Sequence, residues 1–322
     1  MVLLSPAEMT RFALNRFVVL GRVGMDLYAH PPGARVEEAL SFTPALGGSA
    51  GNIAVALARQ GAGASLLSCV ADDAVGRYCL AELDRYGVGR RHVLSVPGRN
   101  SLAVTETCAN HCQVVLYRSN AADLAVSTAQ VDAVDFAAIG ALVVTGTALS
   151  AEPSRSATLR AIKLAKVAGA LTILDLDYRA NAWASPSEAA SVCLRAAQVC
   201  DAIIGNDEEF GLIAGAYDRG PGLARDLAAG ALFTIYKRGA EGSTTFAAQA
   251  EFETRVFSVK AQKPMGAGDG FMGGLLAALA RGLLLPEAVR RGSATAAMIV
   301  AGVGCAPASP DLAALDRFMA KH

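Results

Sequence analysis

The sequence has no charge of either sign to spare. Its 322 residues carry 29 basic and 29 acidic side chains, and the formal net charge is zero. No long basic run breaks that balance, which argues against nucleic acid as a partner. No uncharged apolar stretch reaches membrane-spanning length. The nearest, residues 283–303, contains Glu287, Arg290 and Arg291, so no membrane partner is expected. No basic-then-apolar leader pattern opens the chain, and the expected location is the cytoplasm. Cysteines number seven, odd and irregularly spaced, which argues against a disulfide framework. Cys108, His111 and Cys112 sit close enough to suggest metal ligands. No second cluster offers the remaining ligands of a four-coordinate site, and a strand with small half-buried thiols is the simpler account. His30, His92 and His322 stand alone. No Gly-x4-Gly-Lys-Ser/Thr phosphate loop occurs, which disfavours a P-loop kinase.

What the chain does have is apolar bulk, 53% of its residues, enough for the core of one large α/β domain over residues 1–322. Compact apolar runs alternate with helical patterns. Residues 16–21 (RFVVLG), 65–70, 141–145, 171–174, 202–204 and 232–236 have the composition of buried strands. Residues 74–86, 154–168, 189–198, 286–300 and 310–321 have that of helices. This rhythm predicts a doubly wound, mainly parallel sheet flanked by helices. Two segments break it, residues 25–46 and 92–118. The second reads as short alternating strands at 93–96, 101–108 and 112–117. Together they predict a small β-sheet beside the main body, suited to a lid, a dimer surface, or both. Residues 243–246 and 253–259 predict a β-hairpin.

Polar residues recur just after the predicted strands. Asp26 follows the first strand. Arg118 closes the second interruption. Asp175, Asp177 and Arg179 follow 171–174, Asn206 to Glu209 follow 202–204, and Lys237 to Gly242 follow 232–236. In a doubly wound sheet these ends line one edge, where ligands bind. Gly47-Gly48 followed by Asn52 lets a ligand touch backbone beside a side chain that both donates and accepts hydrogen bonds.

The stretch Lys263-Pro264-Met265-Gly266-Ala267-Gly268-Asp269 precedes a helix carrying Phe271, Met272, Leu275 and Leu276. Small residues at a helix start expose N–H groups to an anion. A carboxylate there suits a base that takes a proton from a hydroxyl while the N–H groups hold a phosphoryl group. On these residues alone, a glycine turn capped by Asp269 fits equally well. Gly268-Asp-Gly270-Phe-Met-Gly273 also matches the dinucleotide pattern G-x-G-x-x-G. That pattern should join the first two strands of a βαβ unit, whereas only helices are expected after it here, so an NAD-dependent dehydrogenase is the remote alternative.

Gly47-Gly48 with Asn52, and Gly266-Ala267-Gly268-Asp269, resemble the two signatures of the ribokinase-like (phosphofructokinase B) carbohydrate kinases, in order and over nearly the whole chain. The resemblance implies ATP and Mg²⁺ as cofactors and assigns roles. Asp269 would be the base, and Gly266, Ala267 and Gly268 the anion hole. Asn206 and Glu209 would orient a magnesium–water shell on the ATP phosphates, with no metal ligated directly. Lys237, Gly239 and Gly242 would form a nucleotide-binding turn, with Ala294, Ala297 and Ala301 leaving room for adenine or simply packing helices. Asp26, Gly47, Gly48 and Asn52 would hold substrate hydroxyls. Arg118 and Arg179 would meet the substrate carboxylate or the transferring phosphate.

The stretches 47–54, 117–123, 175–179 and 263–269 further resemble the 5-dehydro-2-deoxygluconokinase branch of that family. This implies a sugar-acid substrate phosphorylated at a primary hydroxyl in myo-inositol catabolism. The alternatives within the family are a 2-keto-3-deoxygluconate kinase, a fructokinase or a ribokinase. Lys263 stands where ribokinase-type members carry an aspartate that helps hold a monovalent cation, which implies activity without K⁺.

Overall fold

The computed structural model describes residues 4–108, 112–247, 250–262 and 265–322. Helix α1 (Pro6–Ala13) precedes strand β1 (Arg16–Leu20). Strands β2 (Gly24–His30) and β3 (Ser41–Gly47) follow, then helix α2 (Ser49–Arg59). The chain continues through β4 (Gly63–Ala71), α3 (Ala74–Arg85), β5 (Gly89–Val96), β6 (Ser101–Thr105) and β7 (Val114–Tyr117). Regular alternation resumes with α4 (Thr128–Asp132), β8 (Ala141–Thr145), α5 (Ser154–Val167), β9 (Leu171–Asp175), α6 (Pro186–Ala197), β10 (Ala202–Asn206) and α7 (Asp207–Ala214). Then come α8 (Gly220–Ala228), β11 (Phe233–Lys237), β12 (Ser243–Ala247) and β13 (Ala250–Thr254). Helices α9 (Ala267–Ala280), α10 (Leu285–Val300), α11 (Cys305–Ala308) and α12 (Leu312–Lys321) complete it.

Nine strands form one sheet in the order β13-β12-β11-β10-β9-β8-β1-β4-β5. All neighbours from β11 to β5 pair in parallel, and only the pairs β11–β12 and β12–β13 are antiparallel. Strand β1 lies between β8 and β4, so the winding direction reverses there. The C-terminal ends of β1 and β8 therefore flank a crevice. Alternate residues of β1 feed two cores. Phe17 and Val19 join α2, α9 and α10 on one face, and Val18 and Leu20 join α5, α6 and α8 on the other. A strand buried on both faces needs an unbroken apolar run, which is how residues 17–20 read.

The remaining four strands form a separate sheet, β3-β2-β6-β7. Two boundaries differ from the sequence expectation. Residues 89–96 extend the large sheet, because β5 pairs in parallel with β4; only β6 and β7 of the second interruption join the small sheet. The final hairpin strand is 250–254 rather than 253–259, since its partner β12 is only five residues long and register ends the pairing.

Helix α9 is apolar all round and lies between α2 and α10. Its glycines serve that packing. A Cβ at Gly270 would overlap Ile299, one at Gly273 would overlap Ala56, and one at Gly274 would overlap Thr295. The G-x-G-x-x-G match is thus a close helix contact within α9, and helices α10 to α12 follow it. This removes the structural context of a dinucleotide fingerprint.

Candidate functional site

Asp269 occupies the first turn of α9, and the N-cap is Gly266 in the left-handed region (φ 80°) with no side-chain cap bond. The capped-turn alternative fails, because Asp269 lies inside the helix. Its carboxylate instead accepts a hydrogen bond from Asn52 Nδ2 at 2.8 Å. Asn52 comes from α2, and its Oδ1 is buried with no hydrogen-bond partner among the described residues. That acceptor is open for a ligand hydroxyl. Burial is the main cause that raises the Asp269 pKa to about 6, and the negative charge of Asp177 adds to it. The Asn52 bond and the charges of Arg179 and Arg22 oppose the rise. A carboxyl so placed titrates closer to neutral pH than an ordinary aspartate.

The glycine pair approaches its neighbours as closely as backbone permits. A Cβ at Gly47 would overlap the Asp26 carboxylate, and one at Gly48 (φ +89°) would crowd the Arg22 carbonyl. Asp26 lies within β2, a strand of the small sheet, rather than in a turn after β1. Tyr28, two residues on and hence on the same face, donates to Asp26 Oδ2 at 3.1 Å. Its hydroxyl also lies 4.0 Å from Cys305 Sγ, and Cys305 packs where a Cβ of Gly266 would be. The small sheet is thereby tied to the loop that opens α9.

A carboxylate cluster lines the neighbouring strand ends. Asp177 adopts φ 34°, accepts from Thr147 Oγ1 at 2.8 Å, and pairs with Arg179 at 3.0 Å. Burial works against its charge, yet Arg179 and bonds from Ser49 and Thr147 hold its pKa below the usual value. Asp175, the last residue of β9, is pushed well above the usual range by burial, with Lys237 opposing. Glu209 is raised for the same reason. Both Glu209 oxygens are engaged: Oε2 accepts from Asn206 N at 2.7 Å and Oε1 from Tyr178 N at 3.1 Å. Asn206 Oδ1 accepts from Glu209 N at 2.8 Å in return. This capping box fixes the start of α7. With its oxygens so engaged, Glu209 suits a water-mediated role toward a metal. Among the described residues no group of three or more His, Cys, Asp or Glu is placed to hold a metal ion. His111 of the Cys108–Cys112 reading lies outside the described residues, as do Lys263 and Pro264.

Lys237 ends β11 in register with Asn206 on β10. A Cβ at Gly268 would lie 3.2 Å from its Nζ, so the ammonium stands beside Gly268 in the first turn of α9. Gly239 (φ 54°) and Gly242 (φ 93°) make the turn that follows, closed by Arg238 N to Gly242 O at 2.8 Å. Ala294 is fully buried and Ala297 nearly so, whereas Ala301 is partly buried.

One expected residue is otherwise engaged. The sequence offers Arg118 as a fork for a ligand, but that fork is closed inside the protein. Nε and Nη2 donate to Asp123 Oδ2 at 3.0 and 2.6 Å, Nη2 to Thr147 O at 2.9 Å and Nη1 to Ser150 Oγ at 3.3 Å. Asp123, only five residues on, is the signal in the sequence that points to this closure. Thr147, Ser49 and Arg22 escape the sequence reading, although Arg22 directly follows the glycine that ends the first strand.

A family model described as pfkB family carbohydrate kinase matches residues 14–312. The 5-dehydro-2-deoxygluconokinase of Photobacterium profundum is 37% identical over 324 residues, covering 97% of this chain and 98% of that protein. The enzyme of that name from Geobacillus kaustophilus is 33% identical, covering 95% and 94%. A solved fructokinase double mutant from Vibrio cholerae O395, with fructose, ADP and potassium ion bound, superposes with a TM-score of 0.83 at 25% identity, covering 94% and 98%.

Proposed function

Because the chain belongs to the pfkB family of carbohydrate kinases, we propose that it transfers the γ-phosphoryl group of ATP to the primary hydroxyl of a sugar acid. The acid proposed is 5-dehydro-2-deoxy-D-gluconate, giving the 6-phosphate, as a step of myo-inositol catabolism. The observation that carries the chemistry is the partly buried Asp269 carboxylate, raised to about 6 and held by Asn52 at the start of a glycine-opened helix. The name shared by the two curated relatives supports the acid.

Mg²⁺ with ATP supplies an activated phosphoryl group when bound. The residues present fit that pair: Lys237 carries no ion pair among the described residues, and Gly268 leaves its ammonium room. The chain's own residues do the rest. Asp269 takes the proton from the attacking hydroxyl. The N–H groups of Gly266, Ala267, Gly268 and Asp269, at the positive end of α9, stabilise the equatorial oxygens. Lys237 adds a point charge on the same side. Asn206 and Glu209 would orient water around the metal, and Gly239 and Gly242 would shape the turn under the nucleotide. Asp26, Gly47, Gly48 and Asn52 hold the acceptor, and Arg179 adds positive charge beside Asp177. The small sheet acts as a lid over the acceptor. Its exposed Phe42, Val115 and Tyr117 support pairing of two copies through it, which sedimentation velocity checks.

A coupled ADP-release assay over a panel of sugars and sugar acids tests the reading. The expected best acceptor is 5-dehydro-2-deoxygluconate, ahead of 2-keto-3-deoxygluconate. Faster turnover of fructose or ribose would refute the sugar-acid assignment and leave the kinase chemistry standing.

A further inference from the structure

Three arginines adjoin the cluster of Thr147, Asp177 and Asp269, and two of them are engaged. Arg118 is closed on Asp123, Thr147 and Ser150. Arg179 is paired with Asp177 and bonded to the carbonyl of Tyr178. The third is Arg22, two residues past β1 at the point where the sheet changes direction. Its carbonyl accepts from Gly51 N at 3.2 Å, so it abuts the first turn of α2, the helix that carries Asn52. Its Nε and Nη1 are buried and meet no hydrogen-bond partner among the described residues. Buried donors of a charged group are seldom left unmet in a native fold unless a ligand or ordered water completes them.

The charges of Arg22 and Lys237 divide the site between them. Burial dominates the titration of Asp269 and Asp177, and against it Arg22 favours the charged form of both. Lys237 acts in the same way on Asp175 and Glu209, and its Nζ stands by Gly268. The phosphoryl side therefore already has a cation and a helix N-terminus. Arg22 lies on the other side, with Gly48, Gly51 and Asn52, where the acceptor is held. An anion arriving with the acceptor is the chemistry that matches a planar, unmet donor fork.

We propose that Arg22 is a specificity-determining residue, whose guanidinium receives the carboxylate of the acceptor and so selects acids over neutral sugars. This rests on the sugar-acid reading above. The test compares 5-dehydro-2-deoxygluconate with its C1 amide, which keeps the reacting hydroxyl and loses the charge. In the unmodified enzyme the acid is the better substrate. In Arg22→Gln its kcat/KM falls roughly 10- to 100-fold, mainly through KM, the usual worth of one charge-assisted contact. Assayed above the titration of Asp269, where loss of the Arg22 charge leaves the base ionised, the amide moves by less than about threefold, since it never made the charge-assisted contact.

Should R22Q not fold, R22K carries the test. With the fork replaced by a point charge, the acid-to-amide ratio drops while the amide rate holds. Equal losses for acid and amide would assign Arg22 to phosphoryl transfer or to structure and overturn the proposal alone. An unchanged ratio in both variants overturns it too. Preference of the unmodified enzyme for the amide or a neutral sugar, seen before any variant is made, overturns the sugar-acid reading and this proposal with it.

Discussion

Asn52 Nδ2 donates to Asp269 Oδ2 at 2.8 Å across 217 residues of sequence. The bond joins α2, which starts at the glycine pair, to the first turn of α9. It also opposes the burial that raises the Asp269 pKa. Each half of the site thus tunes the other.

Replacing Asp269 by Asn separates chemistry from stability. Turnover should fall by about two to four orders of magnitude, the worth of a positioned base. Because the folded-state pKa is raised, the native protein binds the proton more tightly than the unfolded chain. Stability therefore declines as pH rises from the usual aspartate range through about 6, and the penalty stays in full above it. Its upper bound is roughly 3 kcal/mol. D269N lacks that penalty, so it should melt above the wild type at pH 8, by a margin that shrinks toward about pH 4.5. Near-normal turnover of the folded variant would sink the base assignment.

The pH profile of kcat/KM reports the free enzyme's base. It should rise through about 6 as Asp269 ionises. Asn52→Leu removes a bond that favours the charged form, so the acid limb should shift to higher pH. A limb that stays in place in N52L would mean that another group controls it.

Two glycines distinguish binding from packing. Gly47→Ala puts a methyl into the Asp26 carboxylate. The KM for the acceptor should rise while that for ATP holds. Gly273→Ala pushes a methyl into Ala56 instead, and should cost about 1–3 kcal/mol of stability by overpacking, with no effect specific to either substrate. A fluorescence titration with NAD should be flat for both and for the wild type.

Lys237→Met should raise the KM for ATP or lower turnover by about tenfold or more, as expected for loss of a charge-assisted contact. The acceptor KM should change little. The reverse pattern would move Lys237 to the acceptor side and undo the division of charge between it and Arg22.

A lysine at position 263 cannot ligate K⁺. Exchanging a bulky organic cation for K⁺ should leave the rate unchanged. A steep rise would show that a monovalent-cation site survives without the aspartate.

The local readings in the sequence followed from local physics. Residues 17–20 and 141–144 are unbroken apolar runs, and only burial on both faces suits them. The small residues at 47–48 and 266–268 mark where the backbone must be approached closely. The order of the two glycine segments was enough to suggest the family, and Asp269 as base with it. What residues 89–96 pair with was decided by the free edge of β4, which no local pattern in that segment records. Whether Arg118 is free or closed on Asp123 depends on where Thr147 and Ser150 arrive to complete its bonds. The role open to Arg22 depends on its not being met in the same way. The raised pKa of Asp269 depends on burial and on Asp177, brought in from another strand end. Short-range pattern thus determined which chemistry the chain can perform. Long-range packing, by choosing each charge's neighbours and its access to water, decided which residues carry it.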